Sequence, residues 1–152
     1  MPTKYKGTSD EVLALDTFIK LARCFGSVQS HVLPHLQREF GLTESQFAVL
    51  EAVHHLGPLS PGQLCQKILR SGSNVTTVVD NLERDGLVTR ERHETDRRIQ
   101  LVHLTERGRT TISGALPAHV ARIAKALTVL SNDEQLVLGR ICRKLGIALA
   151  PA

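Results

Sequence analysis

Aromatic residues are scarce in this 152-residue sequence, which has no tryptophan, one tyrosine and four phenylalanines. Proteins that bind single-stranded nucleic acid stack bases on aromatic side chains, so this scarcity argues against that class. The length fits one domain that buries roughly two-thirds of its unfolded surface. We therefore treat residues 1–152 as a single domain of another class.

Long apolar runs and closely spaced cysteines are also missing. No run approaches the ~20 apolar residues of a membrane span, and the first residues lack the apolar core of a signal peptide. The three cysteines, Cys24, Cys65 and Cys142, are odd in number and far apart, which excludes a disulfide framework and the spacing of zinc ligands. We expect a cytoplasmic protein with no metal ion, no cofactor and no membrane contact.

Catalytic motifs are missing too. The sequence contains no glycine-rich phosphate loop, no nucleophile elbow and no triad at motif spacing, so an enzyme is not expected. The formal net charge is +4. A basic balance favours nucleic acid or another anionic partner, but the placement of individual arginines has to identify which.

Wide apolar stripes at helical spacing are present at both ends of the chain. They run through residues 10–33 and 110–149, with Pro34 breaking the first stripe and Gly41 ending the segment that follows it. These stripes exceed what one small domain needs to cover its core, and exposed patches of that size are rare on monomers. We expect residues 10–40 and 110–149 to be dimerisation helices of a homodimer.

Residues 43–105 have the pattern of a small DNA-binding unit. Capping boxes at Thr43 and Ser60 begin two helices, and a tight turn at residues 70–73 precedes a third, which ends at Gly86. Alternating segments at residues 87–92 and 99–104 predict a β-hairpin, and Thr105 then caps a new helix. The fold class is mainly α with a small β-hairpin: a winged helix-turn-helix.

The third helix is the predicted recognition helix, which would lie in the major groove of double-stranded DNA. Its apolar residues recur at i, i+3, i+4 and i+7 from Val75, so the opposite face carries short polar side chains that can reach bases and phosphates. Simple solvation of that face is the alternative. The predicted DNA-binding residues on the helices and the turn are Gln63, Lys67, Ser71, Ser73, Asn74, Thr76, Thr77 and Asn81.

The hairpin places further cationic side chains beside that helix. We expect Arg90, Arg92, His93 and Arg97 to follow phosphates, because guanidinium groups pair well with them. Asp96 and Arg98 complete the predicted DNA-binding set at the tip of the hairpin. A cationic hairpin and a polar recognition helix are each weak evidence for DNA binding, but together they are specific.

Three segments carry a family resemblance: residues 57–60, residues 81–88, and the wing from Asp96-Arg97-Arg98 to Leu104-Thr105-Glu106-Arg107-Gly108. Over nearly its full length the sequence resembles the MarR (multiple antibiotic resistance) regulators. The resemblance implies a homodimeric repressor that binds a pseudo-palindromic operator through two wings. It also implies that Arg98 enters the minor groove and that Asp96 orients it through a charge-assisted hydrogen bond.

The resemblance further implies a signal that releases the DNA, such as a small phenolic or other aromatic anion. The ligand would occupy a crevice between the dimer helices and the winged helix-turn-helix of residues 43–105, which we call the reading head. Phe25, His31, His35, Phe47 and His54 could line such a crevice, or they could belong to a packed core.

Oxidation is an alternative signal, because Cys24 lies beside Lys20 and Arg23, cations that favour a thiolate. However, Cys24 lies about six residues closer to Pro34 than the sensing cysteine of oxidant-responsive relatives lies to its matching proline. The remaining alternative is a winged-helix interaction or architectural module that does not read sequence.

Overall fold

The computed structural model describes residues 4–68, 72–92 and 99–149, and for Gly72 and Ser73 only the backbone. The described residues form seven helices and two strands. These are α1 (Ser9–Val32), α2 (Pro34–Phe40), α3 (Glu44–Leu56), α4 (Pro61–Ile68), α5 (Gly72–Arg84), β1 (Val88–Arg92), β2 (Gln100–Leu104), α6 (Glu106–Leu127) and α7 (Asn132–Ala148).

The helices begin where the capping residues predict. Thr43 Oγ1 accepts a hydrogen bond from the Gln46 backbone N–H at 3.2 Å, and the Gln46 side-chain oxygen accepts one from the Thr43 N–H at 2.9 Å. Ser60 and Gln63 form the same reciprocal pair at the start of α4. Both capping boxes satisfy backbone donors that the first helical turn leaves without partners.

The predicted helix ends are also confirmed. Gly41 follows α2 with φ of 67° and Gly86 follows α5 with φ of 71°, a left-handed conformation that only glycine adopts without strain. Pro34 ends α1 and begins α2, since a proline ring is tolerated at the first position of a helix.

The start of the recognition helix is a correction. The sequence places a tight turn at residues 70–73, whereas α5 already begins at Gly72. The first N–H groups of a helix have no intrahelical partner, so a glycine followed by a serine can begin one at little cost. Ser73 therefore belongs to the first turn of α5.

The core lies in the reading head, between α3, α4, α5, α6 and the hairpin. Leu50, Val79, Leu82, Val102 and Ile112 are fully buried there. The two strands are antiparallel, with Val88 opposite Leu104 and Arg92 opposite Gln100. Leu59 adds a single-residue bridge to Val102, with N···O distances of 2.8 and 3.4 Å.

The terminal helices leave most of their apolar residues uncovered. α1 packs on α2 and α6, but Leu13, Phe18 and Phe25 are more than 60% exposed. α7 buries none of its residues. Among the described helices, none is long and apolar enough to cross a bilayer.

Candidate nucleic-acid interface

Helix α5 divides into the two faces that the sequence predicts. Its apolar side chains are buried against α3, α4 and β1: Val75, Val78, Val79 and Leu82. On the opposite face Asn74, Thr76 and Thr77 are exposed and Asn81 is half-buried. An exposed row of short donors and acceptors on the second helix of a helix-turn-helix is positioned to meet base edges.

Helix α4 presents Gln63 and Lys67 on its exposed side. The Gln63 side-chain oxygen is already used to cap the Ser60 N–H, which limits its role at a DNA surface. Lys67 lies in the last turn of α4, next to the segment that leads into α5. Of these two predicted residues, Lys67 is the better placed for a phosphate.

The structure gives Arg90 a role other than the predicted phosphate contact. Its side chain is 17% exposed and forms ion pairs with Asp80 and Glu83, each with an N···O distance of 2.5 Å. The Arg90 backbone N–H also donates to Glu83 Oε1, at 3.2 Å. Two carboxylates thus neutralise the guanidinium group, and the contacts attach strand β1 to helix α5.

Opposing effects act on the pKa of Arg90. Partial burial lowers the pKa, but the hydrogen bonds and charges of Asp80 and Glu83 outweigh this and raise it above its ordinary value. The guanidinium group therefore stays charged, and it anchors the wing strand.

Arg92 lies at the end of β1 with an exposed side chain, directly opposite Gln100 at the start of β2. Residues 93–98, which lie between these paired strand ends, are outside the described part of the chain. The predictions for Ser71, His93, Asp96, Arg97, Arg98 and the side chain of Ser73 fall in the segments not described, and they remain predictions.

The Leu104–Gly108 segment fixes the base of the wing. The Thr105 hydroxyl donates to the Gly86 carbonyl oxygen at 2.7 Å and accepts from the Gly108 N–H at 3.0 Å, while the Thr105 N–H donates to the Leu87 carbonyl oxygen at 3.1 Å. A Cβ atom at Gly108 would lie 2.0 Å from the Leu87 carbonyl oxygen. The last residues of the wing motif thus dock α6 on the loop between α5 and β1.

The five predicted ligand-pocket residues are not all brought together within a single chain. Phe25 and His31 are exposed on α1, whereas His35 and Phe47 are buried in the head. His54 lies elsewhere, at the exposed end of α3. Helical spacing indicates which residues share a stripe, but not that the stripe of α1 faces away from its own reading head.

Two of the five residues do meet, together with His119, which the sequence did not single out. The His119 ring lies 5.2 Å from the His35 ring and 4.8 Å from the Phe47 ring, measured between centroids. We call these three residues the His35–Phe47–His119 cluster. It joins α2, α3 and α6.

The cluster leaves polar atoms without partners. His35 Nδ1 lies 2.6 Å from the Val32 carbonyl oxygen, which can only accept, so Nδ1 donates this hydrogen bond and Nε2 is the second ring nitrogen. Among the described residues this Nε2 and His119 Nδ1 are buried without a hydrogen-bond partner. Burial and the neighbouring His35 lower the pKa of His119, with Glu51 opposing them, so its ring is neutral near pH 7.

The remaining candidate sensors are dispersed. Cys24 is exposed on α1, and its neighbour Lys20 forms an ion pair with Asp16 at 2.5 Å. Within residues 4–68, 72–92 and 99–149, no three histidine, cysteine, aspartate or glutamate residues converge to hold a metal ion.

A three-helix reading head followed by a two-stranded wing defines the winged helix DNA-binding proteins, and comparisons identify the family. The family model described as the MarR family matches residues 40–99. The regulator YkoM of Bacillus subtilis, named as an HTH-type transcriptional regulator, is 37% identical over 134 residues, which are 88% of this chain and 86% of that protein. YetL of the same organism, named as an HTH-type transcriptional repressor, is 29% identical over 78% of this chain and 74% of its own.

A solved structure supports the same assignment. The MarR family regulator Sco3205 from Streptomyces coelicolor, whose crystal structure is in complex with DNA, matches with a TM-score of 0.82 and 26% identity. The match covers 97% of this chain and 96% of that one. The chain belongs to the MarR family, and it is a DNA-binding transcriptional regulator, not an enzyme.

Proposed function

We propose that this protein is a homodimeric, ligand-responsive repressor that binds a pseudo-palindromic operator in double-stranded DNA in the cytoplasm. The exposed polar face of α5 beside the anchored wing carries the proposal, because it combines base-reading side chains with a fixed second contact. The name of the relative YetL supports repression.

Within this proposal the contacts divide by chemistry. Asn74 and Asn81 read bases, since a side-chain amide pairs with adenine in the major groove, and Thr76 and Thr77 lie on the same face. Lys67 and Arg92 neutralise phosphates. Arg98 enters the minor groove with Asp96 as its partner, and Ser71, Ser73, His93 and Arg97 extend the phosphate contacts.

The uncovered apolar faces of α1 and α7 support the homodimer. Large apolar side chains are exposed on both helices: Leu13, Phe18, Leu21 and Phe25 on α1, and Leu136, Val137, Leu138, Ile141, Leu145 and Ile147 on α7. A second copy would bury them and create a two-fold axis. Two recognition helices related by such an axis match an inverted-repeat operator.

The His35–Phe47–His119 cluster supports ligand response. It holds three rings in contact with one another, and an imidazole nitrogen without a partner there can accept a hydrogen bond from a phenolic hydroxyl group. The cluster joins α2, α3 and α6, so a ligand there would contact both the reading head and the helices that lead to the dimer interface. Oxidation of the exposed Cys24 is the alternative signal.

A fluorescence anisotropy titration with the upstream DNA of the protein's own gene tests sequence reading. Asn74→Ala should weaken operator binding about 5- to 150-fold and reduce the preference over a shuffled duplex, because a lost bidentate base contact costs ~1–3 kcal/mol. Gln37→Ala, an exposed amide on α2, is the control and should bind like the parent. Arg98→Ala should weaken binding while the dimer stays folded.

Equal binding of the operator and the shuffled duplex by the parent protein would support the module that does not read sequence, whose binding is weak and sensitive to salt.

A panel of phenolic acids, peroxide and zinc, each added to the protein–operator complex, tests which signal releases the DNA. The proposal predicts release by a phenolic acid, and release by peroxide that Cys24→Ser abolishes would favour the redox alternative.

A further inference from the structure

The recognition helix carries a carboxylate among its exposed polar residues. Asp80 follows Thr76 and Thr77 by four and three positions, so the three side chains share one face of α5. All three are exposed, whereas the apolar stripe of α5 is buried in the reading head. Along the chain Asp80 lies between Asn74 and Asn81, the two proposed base-reading residues. It therefore occupies the part of the helix that is proposed to face base edges.

Arg90 uses its two carboxylate partners to different extents. Both oxygens of Glu83 accept from it, Oε1 from the backbone N–H at 3.2 Å and Oε2 from Nη1 at 2.5 Å. Asp80 contributes only Oδ1, which accepts from Nη2 at 2.5 Å. No described residue donates to Asp80 Oδ2, and the Asp80 side chain is 58% exposed. One oxygen of Asp80 is thus held, and the other is left for a donor outside the chain.

The ion pair with Arg90 allows a carboxylate to lie beside DNA. An unpaired carboxylate on this face would be repelled by the phosphates, but Arg90 offsets its charge. Arg84, one turn after Asp80 on the same face and 73% exposed, adds a second cation nearby. The contact with Arg90 also limits the rotation of the Asp80 side chain, so little further ordering is needed when Oδ2 meets a donor.

The chemistry of the bases determines what Oδ2 can read. A carboxylate only accepts hydrogen bonds. In the major groove guanine presents two acceptors, and thymine presents an acceptor and a methyl group, so neither offers a donor to it. Adenine presents its N6 donor beside the N7 acceptor, whereas cytosine presents the N4 donor alone. Cytosine is therefore the base that the Asp80 carboxylate fits best.

We propose that Asp80 reads one cytosine in each half-site of the operator. Oδ2 accepts a hydrogen bond from cytosine N4, while Oδ1 stays bound to Arg90. The inference rests on the proposed reading of bases by α5, and it adds the identity of one base and the residue that selects it. Because Arg90 also anchors β1, one guanidinium group holds both the wing and the cytosine-reading side chain.

Selection on random duplexes with the full-length protein and two variants tests the proposal. The parent should select an inverted repeat with a cytosine at one position of each half-site. Asp80→Asn should select adenine at that position, because a side-chain amide pairs with adenine N6 and N7. Glu83→Gln is the matched control, since it removes the other carboxylate from Arg90. It should also weaken the anchoring of the wing, but it should keep the cytosine.

Anisotropy titrations measure the same preference as affinities. Replacing that C·G pair by A·T should weaken the binding of the parent about fivefold or more, the usual cost of one mismatched pair. The same replacement should strengthen the binding of Asp80→Asn or weaken it less. Asp80→Ala, whose side chain neither accepts nor donates, should bind both duplexes about equally. Circular dichroism should show that each variant is folded.

Several results would overturn the inference. Half-sites of the parent that share no cytosine would do so whether or not the variants fold. An Asp80→Asn variant that keeps the cytosine would also overturn it, and so would a Glu83→Gln variant that loses the cytosine to the same extent, because wing anchoring would then explain the effect. Enrichment of duplexes with no shared sequence by the parent would refute the proposed operator reading itself, and this inference with it.

Discussion

Arg90 and Arg92, two residues apart on β1, differ in role because their partners differ. Arg90 is nearly buried between Asp80 and Glu83, and it holds the wing strand on the recognition helix. Arg92 is exposed at the end of the strand, where its charge is available to a phosphate. The same residue type on one strand therefore serves structure at one position and is available for the proposed DNA contact at the other.

The salt dependence of operator binding distinguishes the two arginines. Arg92→Gln should reduce the slope of log affinity against log salt by about 1, because one phosphate contact is lost. Arg90→Gln should leave the slope nearly unchanged but lower the free energy of unfolding by about 0.5–1 kcal/mol, because its two ion pairs are with partly exposed carboxylates. Anisotropy titrations at several salt concentrations and urea denaturation measure these effects, and a slope reduction by Arg90→Gln equal to that by Arg92→Gln would contradict the assigned roles.

His119 gives the protein an acid-sensitive contribution to stability. Its pKa is lowered in the folded protein, whereas in the unfolded chain it returns to about 6.5. The unfolded state therefore binds more protons as the pH falls below that value, and folding stability decreases down to the lower pKa of the folded state.

Removing the imidazole should remove this part of the pH dependence. Between about pH 7.5 and about pH 5.5, His119→Leu should lose less stability than the parent. The measurement is the urea midpoint at a fixed protein concentration, and all other histidines are shared, so the difference isolates His119. An equal loss in both proteins would exclude the assigned contribution.

At the scale of the elements, the junction between the wing and α6 depends on close backbone contact. Gly108 allows the first turn of α6 to approach the Leu87 carbonyl oxygen, and Thr105 uses its hydroxyl group to join both sides. A β-carbon at this position meets a backbone atom that cannot rotate away, unlike the end of a flexible side chain.

Gly108→Ala should therefore destabilise the fold by about 1–3 kcal/mol or more, the usual cost of overpacking. Gly114→Ala on the same helix is the matched control, because its Cβ would lie at an ordinary contact distance of 3.6 Å from the Phe40 ring. Alanine favours helix over glycine, so the control should be about as stable as the parent or slightly more stable. Chemical denaturation measures the free energy of unfolding of both variants. A Gly108→Ala protein as stable as the control would contradict the steric argument.

Most elements could be predicted because their signals are local. Three kinds of signal depend on residues within a few positions of one another. They are the capping pairs at Thr43 and Ser60, the glycines that end α2 and α5, and the helical spacing of the buried residues of α5. The exposed polar face of α5 was predictable for the same reason, since burial of one face determines the other.

The parts that sequence reasoning missed depend on contacts between distant segments. The bridge from Leu59 to Val102 is one residue long and leaves no alternating pattern. The partners of Arg90 depend on how β1 crosses α5, and His119 meets His35 only because α2 packs on α6. The spacing of Asp80 and Glu83, three residues apart on one face of α5, was the only local signal for this acidic pair.

At the scale of the whole molecule, the exposed apolar residues of α1 and α7 bear on the proposed homodimer. Helix α1 packs on α2 and α6, and α6 packs on α3 of the reading head, so dimerisation through the terminal helices would set the distance between two recognition helices. A monomer could bind only one half-site, and its affinity for an inverted repeat would fall accordingly.

Leu145→Asp should disrupt the proposed dimer, since it places a charge on the exposed apolar face of α7. Light scattering should then give the chain mass of 16.7 kDa for the variant and twice that value for the parent. Leu56→Asp, at a leucine of the reading head that is somewhat more exposed than Leu145, is the control and should remain a dimer. A parent protein that scatters as a monomer, or a Leu145→Asp variant that stays dimeric, would argue against α7 as the interface.

Selection of the full-length protein on random DNA duplexes, followed by sequencing, tests the central claim most directly. A two-fold dimer presents two recognition helices and two wings, so it should select an inverted repeat whose half-site centres lie one helical turn, about 10 base pairs, or a multiple of it apart. Enrichment of duplexes with no shared sequence would contradict it, and it would leave a DNA-binding protein that does not read an operator.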